Sequence, residues 1–169
     1  MDTLLGLRTW KWRETDWTAA AVSGFAAGAV LMVLDLVWSA FFNAGGPWQT
    51  SHMIAPIFTG AHNLPSSSYQ FSLGVVAVAL VIHYALGIVF GLIMAAVLVQ
   101  LRLDSSPGIA TVAGASMGCA LYLINFDLLT VFFPWLISLR GVATVAAHVV
   151  FGVVAALLYC RLKRVAPEH

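Results

Sequence analysis

Four long apolar stretches, at about residues 19–42, 71–101, 109–133 and 141–160, alternate with shorter segments rich in turn formers or charge. Each stretch reaches the ~20 residues that a helix needs to cross a bilayer. The second is the longest; at 1.5 Å per residue it spans about 45 Å, so it must tilt or project beyond the hydrocarbon. The pattern predicts an all-α, four-transmembrane-helix bundle at 19–164, preceded by an interfacial segment at 1–18. The outer connection, 43–70, is broken by Gly45, Gly46, Pro47, Pro56, Pro65 and Ser66 to Ser68. Inside it, Met53 to Phe58 is apolar but too short to cross, and is expected at the interface or folded back into the protein.

Small residues recur four apart within these stretches. Ala79, His83, Gly87 and Gly91 form one ladder, and Thr144, His148, Gly152 and Ala156 form another. Gly24 and Gly28 stand four apart in the first stretch, as do Gly114 and Gly118 in the third. Residues at this spacing share a helix face, where small side chains let a second helix approach closely. Each histidine belongs to such a face. Asp35 follows Gly28 by seven residues and Asn125 follows Gly118 by seven, which returns each to nearly the glycine side. Asp35, His83, Asn125 and His148 are therefore expected in the outer half of the bundle interior. Helix rise puts Asp35 and His148 about 10 Å from the outer helix ends and His83 about 15–18 Å.

Composition narrows the class. Mean hydropathy is +0.93, and 61% of residues are hydrophobic against 9% charged. Soluble domains carry about 25% charged residues, so a membrane chain is the reading. No Asp, Glu, Lys or Arg occurs from Leu36 to Leu101. The net charge of +1 says nothing about nucleic acid, no basic run is long enough to suggest it, and no nucleic-acid partner is expected. Cys119 and Cys160 have no partner at metal-ligand spacing and are expected as free thiols. Trp10, Trp12 and Trp17 among Arg8, Lys11 and Arg13 suit either a membrane-surface anchor or a disordered tail with aromatic grips. With the N-terminus inside, Arg8, Lys11, Arg13, Arg102, Arg161, Lys163 and Arg164 all lie inside and only Arg140 outside, so both termini are expected in the cytoplasm.

The two halves correspond. Gly28, Asp35, Phe42, Pro47-Trp48 and His83-xxx-Gly87 are matched in order by Gly118, Asn125, Phe132, Pro134-Trp135 and His148-xxx-Gly152. Both halves start inside, so they are expected as two parallel two-helix repeats about an axis along the membrane normal. An up-down arrangement would then set the second and fourth spans across a diagonal, with both histidines facing one axis. Pro47-Trp48 with Met53-Ile54-Ala55, Asn125-Phe126, Pro134-Trp135 and His148-x-x-Phe151-Gly152 resemble a group of small four-span bacterial membrane proteins over residues 24–160. The resemblance implies this architecture and a bacterial inner membrane, and implies no activity.

Several roles suit the polar residues. Imidazole beside Asp or Asn locks helix register by hydrogen bonding, at roughly 0.6 kcal/mol per contact. His83 and His148 on opposed helices are also chemically suited to ligate a b-type haem, with Arg140 the one outer cation for its propionates. Asp35 with the two histidines suits a divalent metal, fed from His52 and His62 in the outer loop. The set Asp35, His83, Asn125 and His148 equally suits a proton or ion relay. Asp127 lies about 200° round the helix from Asn125 and is expected to face a partner protein or the headgroup zone. No nucleophile elbow, phosphate loop, zinc-helix or paired-acid motif occurs, so an enzyme is not expected. The leading expectation is an accessory or scaffolding subunit packed against a larger membrane complex or its own copies, with the redox or metal module and the relay as alternatives.

Overall fold

The computed structural model describes residues 12–65 and 68–164. Trp10, Arg8 and Lys11 of the expected anchor lie outside them. Four helices are long and apolar enough to cross a membrane: α1 (Trp17–Phe42), α4 (Leu73–Gln100), α5 (Pro107–Leu123, its span continuing to Val131) and α6 (Val142–Leu162). Two short helices, α2 (Gln49–Ile54) and α3 (Pro56–Thr59), lie between α1 and α4. The chain thus has the architecture of a multi-pass membrane protein built as a four-helix bundle.

Each start and stop has a local cause. Asp16 caps α1 by accepting a hydrogen bond from the Ala19 amide at 2.9 Å. Ser106 accepts from the Ile109 amide, and Pro107 opens α5 at the position where a missing N–H costs nothing. Between them, α4 ends as the Leu103 amide reaches back to the Leu98 carbonyl at 2.8 Å. That closure holds Arg102 at φ +57°, in the left-handed region usually given to glycine.

Helix α1 packs against α4 and α6, and α6 packs against α5, while α4 meets α5 only slightly. The result is two hairpins, α1/α4 and α5/α6, joined chiefly through α1 and α6. Glycines permit the close approach within each hairpin. A Cβ on Gly91 would stand 2.5 Å from the Gly24 Cα, and one on Gly114 would stand 2.5 Å from the Gly152 carbonyl oxygen. The apolar core lies toward the end that carries both termini, where Ala20, Ala27, Leu98, Ala110, Phe151 and Ala156 are buried together. At that end Arg13 and Lys163 both pair with Asp104, and the Arg13 amide and carbonyl bond the Gln100 side chain.

The other end is covered by the loop. Met53, Ala55 and Pro56 are buried, and the Trp135 indole donates to the Met53 carbonyl at 2.9 Å. The expectation that this apolar segment folds back is met by two short helices with a kink at Ala55-Pro56. The third span departs from a straight helix. Its α-helical part stops at Leu123, and Ile124–Leu128 form a π turn in which the Leu129 amide bonds the Ile124 carbonyl. One extra residue per turn leaves backbone carbonyls without their usual partners.

Candidate functional site

The small-residue seams place both histidines within hairpins. In α1/α4, Gly24 lies against Gly87 and Gly91, and Gly28 against His83 and Gly87. In α5/α6, Gly114 lies against Gly152 and Ala156, and Gly118 against His148. The seven glycines singled out in the sequence therefore all sit where helix backbones meet.

His83 is half-buried, and its Nε2–H donates to the Gly28 carbonyl at 2.8 Å. A carbonyl only accepts, so Nε2 carries the proton in this geometry. His148 is buried, with Nδ1 2.7 Å from the Thr144 carbonyl and Nε2 3.1 Å from Asn125 Nδ2. The same reasoning puts its proton on Nδ1, leaving Nε2 to accept from the Asn125 amide. Tyr122 and Phe126 stand edge-on to this ring with centroids at 5.9 and 5.6 Å. The two imidazoles thus use opposite tautomers and serve different partners. Each is tied within its own hairpin, His83 to Gly28 and His148 to Asn125. Helix α1 is the common neighbour of α4 and α6, which meet only slightly, and each ring is hydrogen-bonded to the preceding span of its own hairpin.

Asp35 and Asn125 each follow a seam glycine by seven residues yet behave differently. No hydrogen bond of ordinary geometry closes on the Asp35 carboxylate among the described residues; its polar neighbours are Thr50 of α2 and His83. The Thr50 hydroxyl is buried without a partner, as is Asn125 Oδ1. Above the first seam there is therefore an acid, a hydroxyl and an imidazole without closed bonds among them. Above the second, Asn125 and His148 are tied directly.

Asp127 and Arg140 form an ion pair at 2.9 Å, both partly exposed. The Arg140 guanidinium also donates to the Phe126 carbonyl, 2.7 Å from Nε, one of the carbonyls in the π turn. This supplies within the chain the counter-charge that a neighbouring protein was expected to give Asp127. It also engages the one outer cation considered for haem propionates.

The loop histidines have their own contacts. His52 Nε2 lies 2.8 Å from the Gln70 carbonyl, and exposed His62 lies 3.1 Å from the Asn63 amide. Among the described residues, no three His, Cys, Asp or Glu side chains are grouped so as to hold a metal ion. Bis-histidine ligation of one iron would need a lone pair from each ring; that of His148, on Nε2, accepts from Asn125, whereas that of His83, on Nδ1, is outside its bond to Gly28. Cys119 and Cys160 are free thiols.

Three features escaped the sequence reading: the π turn, the Arg140 link to it, and the charged cluster of Arg13, Asp104 and Lys163. Only the last had a visible signal, the concentration of cations at one end of the spans. No protein-family model, curated protein or solved structure matches this chain.

Proposed function

We propose that this chain is a non-catalytic accessory or scaffolding subunit of the bacterial inner membrane, packed against a larger membrane complex or its own copies, with both termini cytoplasmic. One observation carries the reading: most polar side chains that looked like ligands are engaged in ties between helices. His83 to Gly28, His148 to Asn125 and Arg140 to Asp127 join segments of one chain. Such ties fix register in a medium where an unpaired polar group costs several kcal/mol. At most about a third of each span's most apolar window is buried within the chain, which leaves broad helix faces for lipid or neighbours. The matching glycine contacts of the two hairpins support reading them as parallel repeats. Purification from native membranes in mild detergent tests the proposal. Co-migration with other subunits or a defined homo-oligomer is expected, and an isolated monomer would contradict it.

A second reading has its own observation. Asp35 stands beside Thr50 and His83 with no hydrogen bond of ordinary geometry among the described residues, and an acid within a span is a marker of transport or binding. On this reading Asp35, His83, Asn125 and His148 relay protons or ions. Reconstitution into vesicles containing a pH-sensitive dye checks it: flux that Asp35→Asn abolishes is expected, and the absence of flux in the parent protein would exclude it. A haem or metal module is the least supported, because it requires His148 to give up its bond to Asn125 and no three ligating side chains are grouped among the described residues.

A further inference from the structure

Two cavities open side by side at the end of the bundle that carries both termini. One, of about 340 Å³, is polar and lined by Arg13, Arg102, Asp104, Ser105 and Lys163. The other, of about 500 Å³, is an apolar groove between α4 and α5, lined by Val97, Leu103, Gly108, Ile109, Val112 and Met117 among others. The same turn serves both, since Arg102, Asp104 and Ser105 face the first while Leu103 and Gly108 face the second. We propose that together they bind one anionic phospholipid, with its phosphate in the polar pocket and an acyl chain along the α4/α5 groove.

Charge complementarity selects this occupant. The pocket brings three cations against one carboxylate, and Asp104 is already paired with Arg13 and Lys163. Arg102 remains exposed, and its guanidinium makes no hydrogen bond or ion pair among the described residues. Its backbone is held at φ +57°, a conformation that glycine would adopt freely and an L residue rarely does. Ser105 adds a hydroxyl beside it. A bare phosphate would use the pocket alone, whereas a neighbouring helix would leave the cations unanswered. An anionic lipid answers both the charge and the groove, as basic pockets between membrane helices commonly do. The groove exists because α4 and α5, although consecutive, diverge from their shared turn.

The test uses the full chain purified in detergent and mixed with phosphatidylglycerol or phosphatidylcholine of identical acyl chains, with retained lipid read by native mass spectrometry. Phosphatidylglycerol is expected to be retained preferentially. Arg102→Gln should weaken that retention about fivefold, the worth of one cation near an anionic headgroup, while Arg102→Lys preserves it. Val112→Trp, on an exposed part of the groove, should weaken retention with the pocket's charges intact. Equal retention of the two lipids, or no loss with either Arg102→Gln or Val112→Trp, would overturn the proposal. So would thermal protection by inorganic phosphate equal to that by phosphatidylglycerol, because the groove would then contribute nothing.

Discussion

In the α1/α4 hairpin, His83 gives its proton to a backbone carbonyl and Asp35 stands nearby without a closed bond. In the α5/α6 hairpin, His148 accepts from Asn125, and the adjacent π turn is held by Arg140. Beneath these polar groups the two seams are alike in spacing, with Ala156 in the second where the first has Gly91. The conserved geometry lies in the backbone contact, and the divergence lies in the side chains above it. One hairpin has an amide where the other has an acid. An amide both donates and accepts, so it can tie itself to a neutral imidazole; a carboxylate can only accept, and His83 has turned its proton toward Gly28. The second hairpin is locked, and the first keeps an ionisable group in reserve.

The seams should be the most sensitive part of both hairpins. Gly91→Leu and Gly114→Leu each drive a side chain into backbone of the partner helix, which has nowhere to move. Each is expected to cost about 3 kcal/mol, read as loss of the folded species in a detergent unfolding titration. Gly74→Leu, at a position with no atom within 4 Å of an added Cβ, is the control and should change stability by less than about 0.5 kcal/mol. Similar losses at all three positions would show that the glycines are not the closing contact.

Asp35→Asn makes the first hairpin resemble the second. Removing an unpaired acid from a span should raise stability, by no more than about 2.5 kcal/mol. A clear loss in the same titration would mean that the carboxylate is engaged, and the contrast between the hairpins would disappear.

The histidines sharpen the comparison next. His148→Ala strands the Asn125 amide in a partly buried site and should cost about 2 kcal/mol. His83→Ala leaves behind only a helix carbonyl and should cost roughly 0.6 kcal/mol. Equal costs would indicate that the two rings have equivalent roles.

The spans were legible because hydrophobic length is a property of many residues at once, and the ends fell within two residues of 19–42 and 71–101. The glycine ladders were legible because a four-residue step fixes a face whatever the partner. The same arithmetic failed beyond Leu123. A π turn adds one residue without any compositional mark, so angles counted along an ideal helix no longer hold for Asp127. Its pairing with Arg140, thirteen residues away across a reversal of the chain, depends on that turn. His83 was placed on the right face, but its acceptor is a backbone carbonyl, which every residue carries and no sequence distinguishes.

The smallest effect concerns the end that joins the hairpins. Asp16 is held below the usual carboxylate value, first by the hydrogen bond from the Ala19 amide and then by that from Arg164. A carboxylate lowered on folding stabilises the folded state fully above its unfolded value, near ~4, and loses that contribution as pH falls through the lower folded value. Acidification through this window should loosen the start of α1, as measured by the protection factor of the Ala19 amide, and Asp16→Asn should flatten the response. Unchanged protection of the Ala19 amide relative to its intrinsic exchange rate between pH 5 and 2.5 (both about one unit or more from ~4) would contradict the cap.

Nitrogen-15 spectra of imidazole-labelled protein, with His83→Gln and His148→Gln to assign the signals, test the central claim most directly. Two opposite neutral tautomers are expected, with the proton on Nε2 in His83 and on Nδ1 in His148. A pair sharing one tautomer, or showing the shifts of a metal-bound ring, would contradict an interior whose histidines tie each hairpin separately.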